Sequence, residues 1–542
     1  MNPFSHPGTH GRPILDVEKQ REDLDEKTSA SVVPLEVKQT LHPGNGAPEQ
    51  GFEDVYQLPQ PGLKSRLVRW NAKIEGLAGF EARGISRVLP EEKHGGSAAG
   101  YVQMFALWFG MSLCVINLVL GFLGPQVFQL GWVECVCITI FANALACCGP
   151  AYMATFGAPS GHRSMILARY FMGYWPAKLA CLLNVLMQVG WGVIGAIIAG
   201  QLISAVNGSG LSIAVGCVVA ALCIGGLATF GIAVLHVYER YAAYPQLFAI
   251  LILVGASGRD WNTSLPSIGD AATVTASRCS FFALMFSAII GFTAISADFY
   301  VYYPTNTNRR LTFFATWAGN WASCTFVDLI GIGIATGIAT KPAWTEAYTI
   351  SSGALLKASY EGLGGFGDFC LVILALGCIN NIAPSTYVGA LSMQTLGKYP
   401  KLVPRWVWSL FLMVIELACS VAGRNRLFII FENFLPIMAC WVCPYLAIVL
   451  EEDIIFHTVK GKAYDWTIWQ DKDQLPLGAA AMTAWLVGWA GAIVGMSQVW
   501  YAGPVALELG GYGGDIGGWL SIAFAGMVYP PLRYLELRKL KR

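Results

Sequence analysis

Asn380, Asn381, Ser385 and Thr386 crowd one otherwise apolar stretch, LGCINNIAPSTYVGALSMQ (376–394), around Pro384. Adjacent carboxamides offer both donors and acceptors to the edge of a small polar ligand. The proline removes one backbone donor and crowds the carbonyl four residues back. Inside hydrocarbon, such a defect survives only where protein or a watery cavity satisfies the freed groups. Single polar side chains often serve as hydrogen-bond glue between membrane helices; a cluster beside a proline points instead to a binding site. Other polar residues in apolar surroundings, Ser112, Gln188 and Gln201, have the same recognition chemistry.

Asp298, Asp328, Glu416 and Glu432 also lie within apolar segments. An acid held in a membrane is costly when charged, so protonation becomes a usable switch for coupling to a cation gradient. The alternative for Asp298 and Glu432 is a structural pair with Arg424, Arg426 or an Asn, or a helix end in water. Enzymatic chemistry finds no support. His6, His10, His42, His94, His162, His236 and His457 lie outside the apolar segments or at their ends, and neither HExxH nor GxSxG occurs. Cys440-Trp-Val-Cys443 has metal-ligand spacing but no second pair, and the fifteen Cys are scattered like small packing residues. No metal and no resident cofactor is expected.

The elements that carry these residues are membrane spans. Only 13% of the chain is charged and 55% is hydrophobic, against about 25% charged in soluble domains. A net charge of +1 excludes the basic footprint of a nucleic-acid binder. Residues 1–98 are hydrophilic and proline-dotted and read as a disordered tail, with an amphipathic helix near Leu67 to Phe80 and room for trafficking factors. No signal peptide precedes the first span. Apolar blocks long enough to cross a bilayer recur at 101–123, 133–156, 174–203, 211–235, 241–257, 279–301, 311–338, 367–396, 404–422, 427–450, 478–500 and 514–536, twelve in all.

With the N-terminus in the cytoplasm, the inner loops and C-tail carry seventeen Lys and Arg against six outside, as the positive-inside tendency requires. The sequons at Asn207 and Asn262 then fall in outward loops, where glycosylation can reach them. Both termini are expected in the cytoplasm.

Span one is interrupted by Gly110, Ser112 and Asn117, and span six by Gly291, Ser296 and Asp298. Matching interruptions in two halves are the mark of discontinuous helices around a midplane site. They suggest inverted repeats over 99–257 (spans 1–5) and 258–450 (spans 6–10), followed by 451–542 with two further spans and a short tail.

Motifs in order along the chain resemble the nucleobase–cation symporter-1 family in its fungal purine–cytosine permease branch. They are VLGFLGPQVFQLGW (119–132), FGAPSGHRSMILARYFMGYWPAKL (156–179), HVYERYAAYPQ (236–246), GFTAISADFYVYYP (291–304), NNIAPSTYVGALSMQ (380–394) and FENFLPIMACW (431–441). The resemblance implies an all-α, LeuT-like five-plus-five fold with two added helices. It also implies import of a purine- or cytosine-type base coupled to a proton, with sodium, held between spans one and eight, as the alternative, at a fungal plasma membrane.

In such a family a flat heterocycle stacks between aromatics of spans three and six. Trp191 matches the first; Phe292, after Gly291, stands where the family often has Trp. The resemblance ranks Asp298 in SADF and Glu432 in FENF first for ion coupling. The chain departs from the family at Ser385, where Asn is frequent, at Gly195, where Asn or Asp is frequent, and at Gly110, where a serine is frequent. Each departure removes hydrogen-bonding capacity from the site. A roomier, less polar pocket suits another N-heterocycle, of the vitamin B6 or allantoin type. A non-transporting nutrient sensor on the same scaffold is the rival class.

Overall fold

The computed structural model describes residues 84–93, 99–206, 210–230 and 232–540. The tail expected over 1–98 lies largely outside these residues, as do the amphipathic helix near Leu67 to Phe80 and the sequon at Asn207. The described chain is almost wholly helical. Its first half holds α1 (Ala99–Ser112), α2 (Val115–Gln126), α3 (Trp132–Ala146), α4 (Cys148–Ser160), α5 (Ser164–Met172), α6 (Pro176–Val206), α7 (Ile213–Phe230) and α8 (Ile232–Ser257). Then follow α9 (Ala271–Ile290), α10 (Arg309–Gly337), α11 (Pro342–Ile350), α12 (Ser352–Ser359), α13 (Gly365–Thr395), α14 (Lys398–Leu402), α15 (Arg405–Gly423) and α16 (Leu427–Glu451). A last group holds α17 (Ala479–Gly495), a two-stranded hairpin (Ser497–Gln498 with Tyr501–Ala502), α18 (Pro504–Leu507) and α19 (Gly517–Leu540).

Local chemistry sets several boundaries. Asn308 caps α10 by accepting from Arg310 N at 2.9 Å, and Asp270 caps α9 by accepting from Thr273 N at 2.9 Å. Pro342 opens α11, where its missing N–H costs nothing. The polar stretch around Pro384 does not break its helix: α13 runs unbroken from Gly365 to Thr395 with Pro384 inside.

Nine described helices are long and apolar enough to cross a membrane, and the α1–α2 pair, bent by 57°, makes a tenth. Each expected span overlaps helix, but 211–235 straddles the end of α7 and the start of α8, 478–500 runs past α17 into the hairpin, and the last two spans differ from the rest. The α17 helix has 17 residues, and α19 carries Pro530, Pro531 and the buried pair Arg533–Glu536. They pack on each other and on α16, and Arg533 Nη2 reaches Glu452 at 2.8 Å.

Helices α6, α7, α13 and α15 pack together as one group, and α10 lies along both α1 and α2. Small residues permit this approach, as is usual where packing rather than a hydrophobic drive joins membrane helices. A Cβ placed on Gly331 of α10 would fall on the carbonyl oxygen of Leu118 in α2. Gly331→Val is therefore expected to cost at least about 1–3 kcal/mol by overpacking and to lower both the surface level and the melting temperature in detergent. Wild-type values for both would show that α2 and α10 do not meet there.

Candidate functional site

Both halves begin with an interrupted helix. The first breaks at Leu113 and Cys114, where Cys114 is extended (φ −136, ψ 145). The break frees backbone groups that side chains then satisfy. Asn117 Nδ2 donates to Ser112 O at 2.7 Å, and Asn381 Nδ2 of α13 donates to Met111 O. Ser112 Oγ donates to Asn320 Oδ1 of α10 at 2.7 Å. In the second half, α9 ends at Ile290 and the chain tightens into two 3-10 turns, Gly291–Ala294 and Ser296–Tyr300, with Ile295 between them at φ −129 and ψ −14. Unwound backbone at membrane depth is tolerated where protein or a watery cavity surrounds it, and these two breaks supply it.

Aromatic side chains stand around the breaks. A Cβ on Gly291 would lie 3.9 Å from Trp191 Nε1 and 3.1 Å from Met187 Sδ, so α6 meets the sixth span at its break. Phe292 sets its edge against Trp108 of α1 (centroids 5.7 Å apart, interplanar 88°), and Trp108 Nε1 donates to Tyr300 OH at 2.8 Å. Trp108 lies one turn before Ser112, which links the Phe292 side to the Asn381 side. Trp191 and Phe292 are only partly buried, with Trp191 edge-on to Phe434 of α16 at 6.2 Å. Beyond Phe434 an open cleft of about 560 Å³ runs between α15 and α16, lined by Arg426, Ile430 and Asn433.

The polar groups expected to read a ligand edge are largely buried. Gln188 Nε2 donates to Asn184 Oδ1 at 2.9 Å, while Gln188 Oε1 and Asn380 Oδ1 are buried acceptors without a partner among the described residues. Buried acceptors of this kind are scarce in folded proteins and cost free energy until something donates to them. Gly389, one turn after Ser385 on α13, packs against Gln188, so Ser385 and Gln188 belong to the same α6–α13 seam. A Cβ on Gly195 would fall on Ile382; an apolar side chain thus occupies that wall.

The two acids ranked first for coupling sit apart from each other. Asp298 is buried, and its Oδ1 accepts from Ser164 N at 2.5 Å. Arg163 Nη1 donates to the Asp298 carbonyl at 3.2 Å and Nη2 to Tyr387 OH at 3.1 Å. Next to it, His162 Nε2 meets Trp466 O at 2.7 Å. Burial pushes His162 down to about 4, so the ring is neutral and its N–H donates to that carbonyl. These contacts pin the sixth span's break to the turn before α5 and to the chain after α16. Glu432 instead lines a second cleft of about 220 Å³ with Ser280, Gln498 and Asp515, and no contact joins it to Trp191 or Asn381. Asn262 sits in the loop after α8, its Oδ1 accepting from Ser264 Oγ at 2.8 Å.

Two arrangements were not anticipated from the sequence. Arg163 is a buried cation against the sixth-span break, its Nη1 on the Asp298 carbonyl. Glu416, one of four acids noted in apolar segments, proves fully buried, with Thr386 Oγ1 at 3.0 Å from both its oxygens. The sequence signal for Glu416 was its presence in an apolar span. Its partner, thirty residues upstream, left none.

A profile of the family described as permeases for cytosine/purines, uracil, thiamine and allantoin matches residues 89–517. A vitamin B6 transporter of Saccharomyces cerevisiae is 30% identical over 98% of this chain and 100% of its own length. A purine-cytosine permease of Emericella nidulans is 33% identical over 86% of this chain and 91% of its own. Another from Saccharomyces cerevisiae is 32% identical over 90% and 92%. Among solved structures, a nucleobase-cation-symport-1 family transporter in a closed conformation with bromovinylhydantoin bound superposes with a TM-score of 0.61 at 12% identity, over 84% of this chain and 95% of that one.

Proposed function

This chain belongs to the family of permeases for cytosine/purines, uracil, thiamine and allantoin, and from that premise we propose that it imports a flat pyridine of the vitamin B6 class together with a proton. It is a multi-pass membrane transporter and not an enzyme. The observation that carries the substrate reading is the wall at Gly195, where Ile382 fills the space that a polar side chain would need. An unsubstituted cytosine or purine edge facing that wall would leave its own donors unpaired, which discriminates strongly against it. A substituted pyridine ring buries its apolar edge there and keeps its polar groups for Asn380, Asn381 and Gln188. Trp191 and Phe292 then bracket the ring, a contact worth about 1 kcal/mol beyond burial. The vitamin B6 transporter's match over 98% of this chain supports the same reading.

A second reading, import of cytosine and purines, is favoured by the 32–33% identity to purine-cytosine permeases. The coupling ion in both readings is the proton, with the termini in the cytoplasm and the chain at the plasma membrane.

Uptake of labelled pyridoxine, cytosine, adenine, uracil and allantoin, in a fungal strain lacking its own permeases for them, separates these readings. Accumulation of pyridoxine alone, stimulated by acid, is the expected outcome. Accumulation of cytosine and adenine would establish the second reading, and binding without accumulation would make the protein a sensor. A companion variant, Gly195→Asn, is expected to lower pyridoxine uptake by about tenfold or more, because the new side chain displaces Ile382 into the site. Unchanged uptake in Gly195→Asn would remove that wall from the pocket.

A further inference from the structure

The α15 helix turns one narrow stripe inward, Arg405, Ser409, Leu412, Glu416 and Ser420, while much of its remaining surface is exposed. Glu416 lies at the middle of that stripe and is fully buried. Its two oxygens stand at 3.0 Å from a single hydroxyl, Thr386 Oγ1 of α13. One hydroxyl carries one proton, so an ionised Glu416 has one donor for about four lone-pair sites. The carboxyl also lies directly over the backbone of Gly192 in α6, where any Cβ would collide with it. Thr386 follows Ser385, and Gly192 follows Trp191. The same carboxyl therefore touches both helices that carry the candidate binding residues, immediately behind the site.

Among the described residues no charge compensates it. The helices packed against α15 are α6, α7 and α13. Their titratable groups are Lys178 and Cys181 on α6, Cys217 and Cys223 on α7, and Asp368, Cys370, Cys378 and Tyr387 on α13. On α15 itself are Arg405 and Cys419, with Arg424 just beyond. Among the described residues none makes an ion pair with Glu416. Arg405 donates to the carbonyls of Ala228 (2.7 Å) and Thr229 (2.8 Å), and Arg424 Nη1 donates to Val421 O at 2.5 Å. An unpaired carboxylate buried this deeply is expensive, whereas the protonated acid can donate its own O–H to Thr386 and share the hydroxyl's proton no longer.

We infer that Glu416 is the proton-carrying group of transport, a role resting on the proton-coupled reading above. The carboxylate takes a proton from a hydronium ion on the outer side, whose O–H bond breaks as one forms on the acid and a water is left, and the neutral acid lets α6 and α13 close on the bound ring. After inward opening, that O–H bond breaks and the proton passes to water on the inner side.

The test measures initial uptake of labelled pyridoxine or cytosine, whichever the wild type accumulates, across acid and neutral pH. Exchange of external label for internal unlabelled substrate is followed in the same cells. Glu416→Gln mimics the neutral acid, so it should lose acid stimulation and net accumulation but still exchange. Thr386→Val removes the one donor that favours the ionised form, so the acid-activation midpoint should move up by about one pH unit. A merely structural role for Glu416 predicts no such shift. Acid stimulation retained in Glu416→Gln, or an unmoved midpoint in Thr386→Val, overturns the role of Glu416 and leaves proton coupling standing. A wild type without acid stimulation overturns the coupling and this role together. Should Glu416→Gln fail to reach the surface, the Thr386→Val midpoint decides.

Discussion

Asn381→Ala is expected to abolish uptake while leaving the protein at the cell surface. The residue does two jobs from one position on α13. Its amide nitrogen donates to the carbonyl of Met111, a backbone group that the break between α1 and α2 would otherwise leave open. Its remaining acceptor is free to meet a ligand at the same break. Alanine strands the carbonyl, at about 1–3 kcal/mol for a buried group without its partner, and removes the ligand contact as well. At about 1.4 kcal/mol per tenfold, the two losses together exceed a hundredfold in initial rate. The helix itself is not at risk, because Ala is the best helix former and α13 is held along its length by α6 and α15. Initial rates beside the surface fluorescence of a tagged protein test this. Normal kinetics in the variant would remove Asn381 from the site.

How much of this was legible in the sequence depends on the range of the interaction. Spans are written locally, as runs of apolar residues, and each expected block overlaps helix, although the boundaries of 211–235 and 478–500 missed the α7–α8 junction and the hairpin after α17. The breaks were legible for the same reason. Gly110, Ser112 and Asn117 bracket the observed bend at Leu113 and Cys114, and Gly291 is the residue at which the sixth span tightens into 3-10 turns. What each polar residue does was not legible, since its partner lies on another helix. Ser112 turns to Asn320, 208 residues away, and Asn381 to Met111, 270 residues away. Ranking acids by motif put Asp298 and Glu432 ahead of Glu416. Geometry adds a distinction among them: Glu432 opens onto a cleft beside Asp515, the Asp298 carboxylate accepts from the backbone of Ser164, and Glu416 backs directly onto the Trp191 helix. The number of crossings was the least secure feature, because α17 is short and α19 exchanges apolar length for a buried Arg533–Glu452 pair.

Asp298→Asn carries the other large expected effect, and it separates locking from coupling. Arg163 is 4% exposed and Asp298 3% exposed, and they meet through the backbone: Arg163 Nη1 donates to the Asp298 carbonyl while the Asp298 carboxylate accepts from Ser164 N. Asparagine can still accept from Ser164 N, which preserves the turn, but it removes a buried negative charge close to the Arg163 guanidinium. Losing a buried group that a backbone N–H and a nearby cation both favour costs about 1–3 kcal/mol. Uptake should therefore fall by about tenfold or more, through loss of surface protein, of turnover, or of both. The double variant Arg163→Gln/Asp298→Asn removes both charges and should recover well above either single change, the signature of two groups that act as a unit. Its pH profile is the deciding reading. If Asp298 only holds the sixth-span break against the turn before α5, the recovered double variant keeps the wild-type acid stimulation. Loss of that stimulation would make Asp298 the coupling acid in place of Glu416. Failure of the double variant to recover would mean that the two residues do not compensate each other at all.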